Sequence, residues 1–270
     1  MSLLPHYEVH EGQGPHLLLV HGMLSSRAQW MLNVRALGEV VRPVVIELWG
    51  HGRSPVPDDP ALYHPDGYVA AFERLRERLG AERWCLCGQS YGAGLTLRYA
   101  LTHPERVIAQ VFTNTNGGLA DAETVTSYRE NAKARMALAA EGLAGLERIP
   151  VHPIHARRLP EAVKAALLAD AALHKPEAFQ RTFQYSSPHI SVRERVVENR
   201  VPTLLVCGEK ERKFRPVRDF VAERMPNAQV VDLVGGHGVN IQAADAFNRT
   251  VKDFLARHID ALSATPAAAD

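Results

Sequence analysis

The sequence predicts an α/β fold: a mostly parallel sheet flanked by helices on both faces, with an all-helical cap inserted late in the order of strands. Three observations carry this. Short apolar runs alternate with stretches of helical periodicity, a region of about 80 residues holds helical patterns and no strand pattern, and alternation then resumes.

The first strand-like runs are HLLLV (16–20), RPVVIEL (42–48), RWCLCG (83–88) and RVIAQVFTN (106–114). They are continuously apolar, as strands buried on both faces are. Between them, residues 25–39, 65–80 and 90–104 space their apolar residues as helices do, the second stopping at Gly80 and the third before Pro104. Residues 117–200 read as helices broken at Pro150, Pro153, Pro160 and Pro176. VPTLLVCG (201–208), a helix near 216–225, AQVVDLVGG (228–236) and a closing helix near 240–258 complete the pattern. The predicted organisation is a core of residues 1–116 and 201–260, a helical cap of 117–200, and a mobile tail of 261–270.

Composition narrows the partners. The 31 Lys and Arg residues nearly balance 30 Asp and Glu, for a formal charge of +1, so no net field draws the chain to nucleic acid or an anionic membrane. No run approaches the roughly 20 apolar residues of a membrane span. The N-terminal residues lack a basic stretch followed by a continuous apolar one, and a cytoplasmic location is expected. Cys85, Cys87 and Cys207 lie in apolar strand-like runs without metal-ligand spacing and read as buried hydrophobes. No metal or cofactor is expected, and the partner is expected to be a small molecule. A monomer and a homodimer are both compatible with the sequence.

The chemistry concentrates at GQSYG (88–92), between a strand and a helix. In a strand, G-x-S-x-G, helix arrangement a tight turn lifts the serine hydroxyl above the sheet edge, and the flanking glycines avoid collisions with neighbouring backbone. The N-terminus of the following helix directs N–H groups at a developing oxyanion. A serine also needs a base, and the base an orienting carboxylate. His237 follows the last strand in LVGGHGVN, and Glu211, in VCGEKERKF, lies 26 residues before it. Glu211 is preferred to Glu209 because it gives the loop room to turn towards the histidine; Asp232 sits inside a strand pattern. Tyr91 N–H and Met23 N–H, the latter in VHGML after an early strand, are the candidate oxyanion donors. Trp30, Trp49, Met136 and Phe183 are candidate pocket walls.

In order and spacing, HGM, ELWGHGRS, GQSYG, CGEKE and GGHG resemble the landmarks of α/β-hydrolase fold proteins of the serine-nucleophile branch with a helical cap. The resemblance implies an eight-stranded, mostly parallel sheet and a Ser90, Glu211, His237 triad. Related dehalogenases and epoxide hydrolases carry aspartate at the elbow, so Ser90 points away from both chemistries. Two positions depart from the family's usual pattern: Glu47 stands where Asp is usual and would support its turn, and Glu211 stands where Asp is the commoner acid. The expected activity is cofactor-independent hydrolysis of a small or medium carboxylic ester, lactone or thioester through an acyl-enzyme. The alternatives are a carbon–carbon bond hydrolase, lyase, synthase or cofactor-free oxygenase using His237 as base, or a ligand-binding protein with little turnover.

Overall fold

The computed structural model describes residues 3–263. The tail expected to be mobile lies outside the described residues from 264 onward. In chain order the elements are β1 (Tyr7–Val9), β2 (His16–Val20), α1 (Val34–Leu37), β3 (Arg42–Ile46), α2 (Pro65–Arg78), β4 (Trp84–Gly88), α3 (Tyr91–Thr102) and β5 (Val107–Thr113). The helical insertion supplies α4 (Ala122–Ala140), α5 (Leu143–Glu147), α6 (Glu161–Ala171) and α7 (Pro176–Arg181). The chain returns with β6 (Thr203–Gly208), α8 (Arg215–Arg224), β7 (Ala228–Leu233), α9 (Val239–Gln242) and α10 (Ala244–Ser263).

Among the described residues the sheet has seven strands, not eight, in the order β1-β3-β2-β4-β5-β6-β7. All neighbours are parallel except β1, which runs antiparallel to β3 with Tyr7 opposite Ile46. Strand periodicity explains the continuous apolar runs. Leu18, Val20, Trp84 and Leu86 enter the core shared with α2 and α3. Their neighbours Leu17, Leu19, Cys85 and Cys87 enter the opposite core, beneath α10. Cys85, Cys87 and Cys207 are free and buried, and burial pushes the Cys85 and Cys207 thiols up to about 12.

Residues 25–39 are not one helix. A 3-10 turn, Arg27–Trp30, precedes the short α1. Here the chain meets buried amides instead of continuing its periodicity: Gln29 Nε2 donates to Asn240 Oδ1 (2.9 Å), and Asn33 Nδ2 donates to Asn240 O (2.9 Å) and Asn248 Oδ1 (2.8 Å). These bonds tie the segment after β2 to α9 and α10, and so to the loop before α9.

The insertion is fastened to the sheet by a buried carboxylate on α6. Asp170 accepts from Ser26 Oγ and from Arg53 Nη1, both at 2.8 Å. Arg53 also reaches Glu47 Oε1 at 3.2 Å, and Arg53 N donates to Glu47 Oε2 at 2.7 Å. Glu47 is fully buried, and its carboxylate closes the turn formed by residues 47–54. Burial raises its pKa although Arg53 opposes the rise. Asp170→Ala would strand the Ser26 hydroxyl and one face of the Arg53 guanidinium, an expected loss of about 2–4 kcal/mol. A urea midpoint unchanged from wild type would contradict this assignment.

Candidate active site

The residues that converge do so from loops at the C-terminal ends of neighbouring parallel strands. Gly22 and Met23 follow β2, Ser90 follows β4, Asn114 and Asn116 follow β5, Glu211 follows β6, and His237 follows β7. This is the edge at which open α/β sheets place their ligands.

Ser90 takes φ 53° and ψ −112°, a left-handed conformation uncommon for a residue with a side chain. Such a conformation costs about 1–3 kcal/mol and persists only where its surroundings enforce it. The surroundings here are backbone. A Cβ on Gly92 would lie 2.4 Å from Val20 O, and one on Gly88 would lie 2.5 Å from Ala93 Cα. Both glycines are therefore required by close approach between strand, turn and helix.

His237 Nε2 lies 2.9 Å from Ser90 Oγ. Its Nδ1 lies 3.0 and 3.1 Å from the two Glu211 carboxylate oxygens. An ionised carboxylate only accepts, so Nδ1 carries the proton and Nε2 is left to accept from the serine hydroxyl. The imidazole is 45% exposed, so water can reach it. Glu209 is exposed to solvent and makes no comparable approach.

The carboxylate has partners that sequence reasoning did not assign. Asn114 Nδ2 donates to Glu211 Oε2, Asn116 Nδ2 donates to Oε1 at 3.3 Å, and Asn114 Oδ1 in turn accepts from Gly208 N at 2.9 Å. Burial works to raise the Glu211 pKa, but His237 and the two amides outweigh it and hold the group below its ordinary range. Its interactions are thus present above the ordinary carboxylate range and lost as pH falls through the depressed value. Gln89, also unassigned from sequence, donates from Nε2 to His237 O at 3.2 Å and so braces the histidine loop.

Tyr91 begins α3, so its N–H has no intrahelical acceptor. Gly22 lies against the elbow, where a Cβ would come within 3.2 Å of Ser90 Cβ, and Met23 beside it lines the same cavity as Ser90. The Tyr91 side chain points away from that cavity's wall into the core, with its hydroxyl bonded to Ser186 Oγ in the insertion.

The cavity above Ser90 has a volume of about 690 Å³. That size suits a small-molecule site. Trp30, Trp49, Met136 and Phe183 are not in its wall. Trp30 and Trp49 are fully buried in the two sheet cores, Trp49 donating from Nε1 to Leu62 O at 3.0 Å. Phe183 and Met136 pack with Leu24, Leu146 and Phe179 between the insertion and the loop after β2. Large apolar side chains fill these interfaces, and the insertion's share of the wall comes from residues 150–153 and 155–159, where prolines interrupt the helices, with Tyr128 and Leu167.

Beneath the loop after β2, three buried imidazoles accept backbone hydrogen bonds. His21 Nε2 accepts from Leu48 N (3.1 Å), His51 Nε2 from Leu24 N (3.2 Å) and His174 Nδ1 from Gly52 N (3.0 Å). The His51 ring lies 5.0 Å from that of His21 and 5.3 Å from that of His174. Burial lowers all three, His21 to about 4, His174 to about 3, and His51 well below its usual value. Unfolded imidazoles protonate near pH ~6.5. Below that pH the unfolded chain binds more protons than the folded one, so stability falls by up to about 1.4 kcal/mol per pH unit for each histidine. Urea midpoints that do not drop between pH 7.5 and 5 would contradict the neutral, accepting state of these rings.

With the geometry in place, comparison with known proteins gives the class. The model of the alpha/beta hydrolase fold family matches residues 15–244, and the chain belongs to that family. Among curated relatives, a putative 2-succinyl-6-hydroxy-2,4-cyclohexadiene-1-carboxylate synthase of Bacillus subtilis (strain 168) is 27% identical over 259 residues, covering 90% of this chain and 92% of the relative. An uncharacterized carboxylesterase of the same organism is 24% identical over 260 residues, covering 89% and 79%. Among solved structures, MenH from S. aureus superposes with a TM-score of 0.82 at 20% identity, over 94% of this chain and 98% of that one, a likeness of fold.

Proposed function

We propose that the protein is a cofactor-independent serine hydrolase that cleaves a small or medium carboxylic ester, lactone or thioester through an acyl-enzyme on Ser90. The observation that carries the reading is the continuous relay from Ser90 Oγ through the His237 ring to Glu211, at 2.9 and 3.0 Å. His237 Nε2 takes the hydroxyl proton as Oγ attacks the carbonyl carbon, and Glu211 stabilises the imidazolium that forms. The N–H groups of Met23 and Tyr91 receive the oxyanion of the tetrahedral intermediate. Collapse expels the alcohol or thiol, which takes the proton from His237. Water admitted beside the exposed imidazole then gives its proton to Nε2, attacks the acyl-enzyme and releases the acid. The carboxylesterase relative supports ester cleavage at such a site.

A second reading follows from the relative named as a synthase, which spans nearly the whole chain. There His237 would remove a proton from an acidic carbon, and Ser90 would not be acylated. The two differ in pre-steady-state kinetics. Short-chain 4-nitrophenyl esters mixed with excess over enzyme should release a burst of nitrophenol equal to the enzyme present, followed by slower turnover. Ester turnover with no burst and no acyl adduct under rapid quenching would count against the acyl-enzyme reading.

A further inference from the structure

The cavity wall supplied by the insertion carries charge that the relay does not use. Residues 150–159 read PVHPIHARRL, irregular apart from the single turn Pro153–His155, and all but Ile154 line the cavity that also holds Ser90. Arg157 and Arg158 are both in that wall. Some arginines of the protein meet carboxylates, as Arg53 does Asp170, Arg76 Glu73, Arg98 Asp66 and Arg218 Asp232. Among the described residues, Arg157 and Arg158 have no such partner.

The other ionisable groups of the wall do not neutralise them. Glu211 is the one carboxylate among the lining residues, and both its oxygens are committed to His237, Asn114 and Asn116. The His152 ring accepts from Ile154 N at 3.2 Å, and burial lowers its pKa, so it adds no negative charge and little positive. His155 Nε2 is bonded to Glu147 O at 2.7 Å. What remains is two arginines, neighbours in sequence and exposed to solvent, in the wall of an otherwise largely apolar chamber containing Met23, Leu159, Leu167 and Ile241. The whole-chain charge is only +1, so positive charge at this wall is not a property of the molecule as a whole. Guanidinium forks match the geometry of oxyanions, and two like charges side by side favour a ligand that supplies the missing counter-charge.

We propose that the substrate carries an oxyanion, carboxylate or phosphate, remote from its scissile acyl bond, and that Arg157 and Arg158 hold it and set the specificity of the site. The inference rests on the serine-hydrolase reading of the same cavity. The arginines bind and orient; they take no part in bond making.

Matched esters test it. Wild-type protein should hydrolyse 4-nitrophenyl hydrogen adipate with kcat/KM about tenfold above that for 4-nitrophenyl hexanoate, mainly through KM. A second pair, 4-carboxyphenyl and 4-carbamoylphenyl hexanoate, places the charge on the leaving group, and at least one pair should show the preference. In about 0.5 M NaCl the ratio should shrink. In the R157A/R158A double variant it should fall to about one, and R157K/R158K should keep part of it because charge survives while the fork is lost. No preference in either pair, or a preference unchanged by R157A/R158A, overturns the proposal.

Binding to Ser90→Ala protein decides the matter without turnover. Adipate or inorganic phosphate should bind by calorimetry and lose that binding in Ser90→Ala combined with R157A/R158A; the tighter of the two identifies the anion, and binding of neither overturns the proposal. Failure of the hydrolase reading has a different signature. No ester of either charge would be cleaved, while anion binding at the arginines would persist.

Discussion

Ser90→Ala is expected to lower kcat for ester hydrolysis by about 10⁴- to 10⁶-fold, leaving only what oxyanion donors and substrate binding supply. The proposed nucleophile is lost, and the hydroxyl removed lies 2.9 Å from His237 Nε2, the one base bonded to it among the described residues. The fold should survive. Ser90 is only partly buried, and alanine relieves none of the close approach made by Gly88 and Gly92, so the elbow keeps its shape. Steady-state assays on the same short-chain ester, with circular dichroism to verify folding, measure the effect. Retention of more than about a tenth of wild-type kcat would mean that the hydroxyl is not the nucleophile. It would favour the reading in which His237 acts as a base on a carbon acid.

Glu211→Gln is expected to be the next largest, about 10³- to 10⁴-fold in kcat with a smaller change in KM. The glutamine amide can no longer balance the imidazolium charge, and an N–H₂ facing His237 Nδ1 promotes the wrong tautomer. It also confronts the Asn114 and Asn116 amides, which donate to the carboxylate in the wild-type protein, with a group that accepts less. Glu209→Gln is the control. That side chain is in solvent, and its removal should leave kcat within about twofold. Equal losses from the two substitutions would remove Glu211 from its assigned place.

Which parts of this could be read from the sequence follows from how each is encoded. Strands β2 to β6 were legible because both sheet faces are covered, so successive residues of a run such as Leu17 to Val20 all had to be apolar, and helices α2 and α3 were legible by their periodicity. Ser90, Glu211 and His237 were legible because their loops carry local signals, glycines around the serine and a fixed position after a strand, and the structure brings the three side chains within hydrogen-bond distance. Strand β1 was not, since an edge strand of three residues with exposed Val9 has no periodicity to detect. The break in residues 25–39 was invisible for another reason: it is made by side-chain hydrogen bonds to Asn240 and Asn248, more than 200 positions away.

Long-range side-chain contacts account for the remaining differences at the site. Asn114 and Asn116 follow a strand end, where asparagine cannot replace the acid, and their use as donors to Glu211 depends on the parallel pairing of β5 with β6. The sequence signals for Trp30, Trp49, Met136 and Phe183 as pocket walls are apolar bulk and, for the two tryptophans, nearness to the early loops. In the structure their apolar bulk is consumed by the interfaces between layers, and a proline-broken segment with two arginines takes the wall instead. Proline spacing from 150 to 160 was the available signal for an irregular stretch, though nothing in it indicates which way the side chains face.

The central claim is that the position-90 hydroxyl becomes covalently acylated under the influence of His237. Intact-mass analysis and peptide mapping after incubation with a fluorophosphonate test it most directly. One adduct per chain is expected, on the peptide containing Ser90, formed slowly or not at all in a His237→Ala variant. Folded wild-type protein that stays unlabelled, or that carries the adduct on another residue, would contradict it.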